Sequence, residues 1–98
     1  MTVAKVLEKA ATKVGQGWTR GASARDVNGA VTNSPSEAVS WCLLGAVDAS
    51  TSSSRLADLA MSAVEKILGE DPMCWNDSVA KNKRQVASVL RKAAKAAA

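Results

Sequence analysis

SPSEAVSWCLLGAVDA, residues 34–49, is the stretch on which the fold turns. Ser34 suits a helix cap, Pro35 the first helical position, and Glu37 stands three residues after Ser34 as in a capping box. Behind this start Ala38 to Val47 runs ten residues without a charge, between Glu37 and Asp48. The run is apolar nearly all round, which predicts a central, buried helix. It is too short to span a bilayer. Ala38, Cys42, Gly45 and Ala49 form a small-residue strip along it. A mid-helix glycine costs about 1 kcal/mol against alanine, so Gly45 marks the close approach of another backbone, expected to be the third or fourth helix, with Trp41 buried beside it.

Upstream, Val3, Val6, Leu7, Ala10, Ala11 and Val14 keep the i, i+3, i+4, i+7 spacing of an amphipathic helix from Thr2 to Val14, and Gly15 stands where a stop is expected. Residues 15–33 (GQGWTRGASARDVNGAVTN) break that period. An Asn28-Gly29 step between Asp26-Val27 and Ala30-Val31 suggests a small hairpin or tight turn. A loop this long in a small domain is uncommon and is the first place to look for a binding surface. Downstream, a third helix is expected from Ser54 to Leu68, with Leu56, Leu59, Ala60, Ala63, Val64 and Ile67 inward and Gly69 as its stop. Glu70-Asp71-Pro72 breaks the chain, and a fourth helix runs from Asn76 or Asp77 to about Ala96 on Val79, Val86, Leu90 and Ala93. The expected architecture is mainly α: one compact four-helix domain over residues 1–98.

Composition supports this. Apolar residues make up 47% of the 98, enough for a core without metals or disulfides. Phe and Tyr are absent, so aliphatic residues must fill that core around Trp18, Trp41 and Trp75. With no histidine and only Cys42 and Cys74, no metal-ligand spacing exists and no imidazole activates a thiol. Two reduced, packed cysteines or a disulfide between them fit the pattern. Lys5, Glu8 and Lys9 interrupt any signal-peptide core, so a cytoplasmic protein is expected, with neither membrane nor cofactor.

The formal charge of +4 is unevenly laid out. Residues 1–33 carry five Lys/Arg and two acids, residues 34–78 two and seven, residues 79–98 six and none. On a helical wheel Lys81, Arg84, Arg91, Lys92 and Lys95 fall in an arc of roughly 100° opposite the apolar positions. Such a face binds phosphate and releases counterions from nucleic acid. Equally, it describes a solvated helix whose late cations complement the C-terminal dipole. Trp18, Trp41 and Trp75 either plug helix junctions or, for an exposed Trp18 or Trp75, anchor a protein partner. Arg20, Arg25, Asp26, Asn76 and Asp77 form a polar set, in which an arginine paired with an aspartate would tie the loop to the last helix. An acid/base role for the two aspartates is the remote alternative.

Read together, G-W-x-x-G-x-x-A-x-D-x-x-G (Gly17 to Gly29), A-x-x-W-C-x-x-G-A (Ala38 to Ala46) and W-N-D (Trp75 to Asp77) resemble a family of small proteins with a domain of unknown function, found in actinobacteria, other bacteria and their phages. The resemblance covers roughly residues 3 to 93 and implies a fold and an origin, not an activity. Many members continue the last motif with an arginine-rich stretch, where this chain has Ser78-Val79-Ala80-Lys81. The functional expectation is a non-enzymatic accessory protein that docks onto another protein through Trp18, Arg20, Arg25, Asp26 and Trp75. A phage-derived inhibitor of a host-defence component would fit. The alternative is nucleic-acid binding through Lys81, Arg84, Arg91, Lys92 and Lys95.

Overall fold

The computed structural model describes all residues, Met1–Ala98. Its first helix, α1 (Val3–Gln16), is capped by Thr2, whose side chain accepts from the Lys5 backbone N–H at 3.2 Å. Val6, Leu7, Ala10, Ala11 and Val14 of α1 are all fully buried. This is the expected stripe, but the helix runs past the expected stop at Gly15 and is closed by Gly17, whose N–H reaches the Lys13 carbonyl at 3.1 Å.

The chain then folds back as a small β element. β1 (Ala24–Arg25) pairs antiparallel with β2 (Ser40–Trp41), Ala24 facing Trp41 and Arg25 facing Ser40. Isolated bridges extend it on both sides, Arg25 to Val31 and Trp18 to Trp41. The hairpin expected at Asn28-Gly29 is present, but its turn spans Asp26 to Gly29, closed by the Gly29 N–H on the Asp26 carbonyl at 2.9 Å. Asn28 keeps a negative φ while Gly29 takes +82°. The pair is therefore not a two-residue primed turn: glycine alone adopts the left-handed conformation, at the turn's last residue.

The second helix departs from expectation. The Ser34 signal produces a single turn, in which the N–H groups of Glu37 and Ala38 both reach the Ser34 carbonyl. Val39 then donates to the Arg25 carbonyl, and Ser40–Trp41 is drawn into the sheet. Pairing with β1 wins over local helix propensity. The helix itself, α2, covers only Leu43–Ala49, with Cys42 as its cap. It is apolar and inward as expected, and it is central as expected, packing on α1, α3, α4 and β2.

α3 (Ser54–Leu68) has the expected bounds, with the Ser53 side chain capping Leu56 and Gly69 closing it at φ +73°. Its inward face is rotated from the expected one: Ala57, Ala60 and Val64 are buried, while Leu59 and Ile67 are 46% and 39% exposed. The expected fourth helix is two. α4 (Pro72–Ser78) starts at Asp71-Pro72, and α5 (Lys83–Ala97) starts again after a break. In that break Val79 and Ala80 both donate to the Trp75 carbonyl, so Val79 is 46% exposed and does not join the core. Asn82 caps α5 through Gln85, and the Gln85 side chain accepts from the Lys81 N–H, both at 2.9 Å. Asn76 is buried inside α4, which Asp71 caps instead.

The core is one cluster of twenty residues drawn from every helix and both strands. Its densest seam is α1 against α5, where Ala10 and Ala11 lie among the buried residues of α1 and Ala87, Ala93 and Ala94 among those of α5. Small side chains let the two axes approach closely. No helix is long and apolar enough to cross a membrane.

Candidate functional site

The three motifs meet at one polar seam between the 17–25 loop, the start of α2, and α4. Asn76, 1% exposed, is its hub. The Asn76 Oδ1 accepts from the Trp18 indole N–H at 2.7 Å and from the Leu43 N–H at 3.1 Å. The Asn76 Nδ2 donates to the Thr19 carbonyl at 3.3 Å and to Asp77 Oδ1 at 2.9 Å. Asp77 also accepts from the Gly21 N–H at 3.2 Å. Loop, central helix and α4 are thus held through one side chain, with both its acceptor and its donor engaged.

Each glycine of the motifs has a local reason. A Cβ on Gly45 would run into the Ser23 carbonyl oxygen, and one on Gly17 into that of Val39. The Ser23 carbonyl is in turn held by the Cys42 N–H at 3.1 Å. The backbone that Gly45 admits is therefore the loop around Ser23 and not, as expected, the third or fourth helix. Trp41 is buried on the sheet beside α1, with the Lys13 ammonium 4.9 Å from its ring centre.

The arginines tie the loop down without aspartates. The Arg20 guanidinium lies 5.1 Å from the Trp18 ring centre and donates to the Ala80 carbonyl after α4. Arg25 donates to the Thr19 hydroxyl at 2.8 Å and to the carbonyls of Gly29 and Arg20. Asp26 accepts from the Asn28 and Ala30 N–H groups and shapes the hairpin turn. Among the expected partner-binding residues, Arg20 is exposed, Trp18, Arg25 and Asp26 are half-buried, and Trp75 is 6% exposed in the core. Trp75 is a junction plug rather than an exposed anchor. Asp26 and Asp77 serve separate hydrogen-bond sets, the first within the hairpin turn and the second between Gly21 and Asn76.

The cysteines are free, Cys42 buried and Cys74 exposed. Burial pushes the Cys42 thiol up, against the lowering pull of the Gly45 and Leu44 N–H groups, with Asp77 and Asp48 raising it further. Its sulfur accepts from the Gly45 N–H at 3.2 Å, a cap that sequence reading missed because cysteine is an uncommon capping residue. The Asp71 carboxylate, hydrogen-bonded to Cys74, pushes that thiol up as well. Raised thiols are poor nucleophiles. Histidine is absent, and no three His, Cys, Asp or Glu side chains gather as a metal ion would require.

The basic set lies elsewhere. Arg84, Arg91, Lys92 and Lys95 are all exposed along α5, as the wheel predicts. Lys81 is exposed too, but it precedes the Asn82 cap and so falls off the helical arc.

A family model described as a family of unknown function (DUF6197) matches residues 1–96. No curated protein and no solved structure matches.

Proposed function

The chain belongs to DUF6197, a family of unknown function, and we propose that it is a small docking protein, acting by binding another protein rather than by turning over a substrate. The observation that carries this reading is the outer face of α5. Arg84 and Lys92, with Lys81 just before the helix, stand exposed there in a segment without one acid, while the polar residues of the motifs are engaged with the loop and with one another. A cationic face on a rigid helix speeds association with an acidic surface and fixes its orientation. The target is a cytoplasmic protein. If the gene came from a phage, a host-defence component fits a small domain of this kind. The resemblance to proteins that include phage members supports that step, and the charge supports the acidic target.

Nucleic acid is the competing ligand for the same face. Phosphate binding must weaken steeply with salt, log K falling by about 0.9 per phosphate neutralised on duplex. α5 carries no aromatic residue to stack on bases, which favours the protein reading. A gel-shift titration at low and near-physiological salt decides between them. The expected result is weak retardation that vanishes near physiological salt. A tight shift that persists there would transfer the function to nucleic acid. Cross-linking in a bacterial extract followed by biolayer interferometry on the purified target completes the test, with charge-reversed α5 expected to slow association.

A further inference from the structure

We infer that the groove between the end of α3 and the first half of α5 is the docking site, and that it takes an acidic, amphipathic helix from the partner. The inference rests on the docking reading above and adds a location and an occupant.

The groove is about 620 Å³. Its apolar floor is made by Ile67 and Leu68 from the last turn of α3, Trp75 from α4 and Val89 from α5, and the uncharged polar Asn82, Gln85 and Ser88 line it beside them. Lys81, Arg84 and Lys92 stand on its rim, and none of its ten lining residues is acidic. This is a different edge of α5 from the one carrying Arg91 and Lys95, which do not line it. From Arg84 to Lys92 the groove follows the helix for eight residues, about 12 Å at 1.5 Å per residue. That is two turns, the length over which an amphipathic helix presents anchors at i, i+3, i+4 and i+7. Apolar anchors match the floor, and carboxylates flanking them match the three cations. Nucleic acid matches only half of this surface. A phosphate backbone has no use for Ile67, Leu68 and Val89, and Trp75 is only 6% exposed, too little ring to receive a stacked base.

The probe is a labelled peptide with leucine at i, i+3, i+4 and i+7 and glutamate at its other positions, titrated into the full chain by fluorescence anisotropy. The rim variant is Lys81→Glu, Arg84→Glu, Lys92→Glu, and the floor variant is Val89→Ser. The control is Arg91→Glu, Lys95→Glu on the same helix, with circular dichroism reporting that each variant is folded. Rim reversal is expected to weaken binding by about tenfold or more. The control is expected to weaken it by roughly twofold or less, through screened long-range attraction alone, and the floor variant to weaken it measurably. If the control loses as much as the rim, docking through α5 stands and the groove assignment is overturned. If the peptide fails to bind while a mixed-sequence DNA duplex binds tightly, the groove and the docking reading fall together. If neither probe binds, the groove assignment alone is overturned.

Discussion

Asn76 matters more to this molecule than any charged residue in its motifs. Its amide serves two backbone groups, the Asp77 carboxylate and an indole, joining loop, α2 and α4 through one buried side chain. Leaving a buried donor or acceptor unpaired costs roughly 1–3 kcal/mol each. Asn76→Ala strands the Trp18 indole N–H and the Leu43 N–H, so a loss of about 2–4 kcal/mol is expected in urea denaturation. Faster hydrogen exchange at the Leu43 amide should accompany it. A variant as stable as the parent would mean that the seam does not hold the loop. Gly45 is the second such position: Gly45→Ala drives a methyl into the Ser23 carbonyl, a backbone atom fixed by Cys42, and should cost about 1–3 kcal/mol. Replacing an unconstrained exposed glycine in a helix with alanine stabilises, so the sign of the change is the test. Asp48, one residue from the end of α2, runs the other way. Lost hydration raises its pKa, and the charge of Asp58 adds to the effect. A carboxyl raised in the folded state binds its proton more readily there than in the unfolded chain. Its charged form therefore destabilises the fold at neutral pH, and the penalty fades as pH falls through the folded value. Asp48→Asn should raise the Tm at neutral pH and give no gain at a pH below the ordinary carboxylate value. A gain that persists unchanged into acid would refute this assignment.

Among the elements, local signals succeeded where one stretch of chain determines its own conformation. The α1 stripe, the bounds of α3 and the Gly69 stop were all readable, because spacing and caps act within a few residues. The Ser34 start misled because its competitor, the edge of β1, lies ten residues upstream and only the fold brings it alongside. The division of the last helix was readable in principle. Asp71-Pro72 is a helix start, and Asn82-Lys83-Arg84-Gln85 is a cap with its reciprocal glutamine. A continuous apolar period drawn through Val79 concealed both. The seam was readable only in part. Trp18, Asn76 and Asp77 stand out by type, but their meeting depends on contacts spanning more than fifty residues. The Asn82 cap gives the division a measurable consequence. Asn82→Ala should cost about 1 kcal/mol and loosen the first turn of α5, visible as faster amide exchange at Gln85 and Val86. Were α4 and α5 one continuous helix, the same change would stabilise it, since alanine is the better interior residue.

At the scale of the whole molecule, the placement of charge sets binding against stability. The most extensively packed pair of helices is α1 and α5, and between them they carry Lys5, Lys9, Lys13, Lys83, Arg84, Arg91, Lys92 and Lys95 against the single acid Glu8. The acids that would balance them lie mostly in residues 34–78. Like charges gathered on adjoining helices repel, and the repulsion is relieved when the chain unfolds. Added salt shortens the reach of that repulsion from about 30 Å at 0.01 M to about 8 Å at physiological strength. The Tm should therefore rise as salt is raised over that range. Arg91→Glu, Lys95→Glu should raise the low-salt Tm and flatten its salt dependence, because it removes the repulsion at its source. A fall in Tm with either change would mean that these cations stabilise the fold through the C-terminal helix dipole, and so need no partner to account for them. A rise would mean that the cations crowded on α1 and α5 work against the fold, a repulsion that an acidic partner docked beside them would relieve.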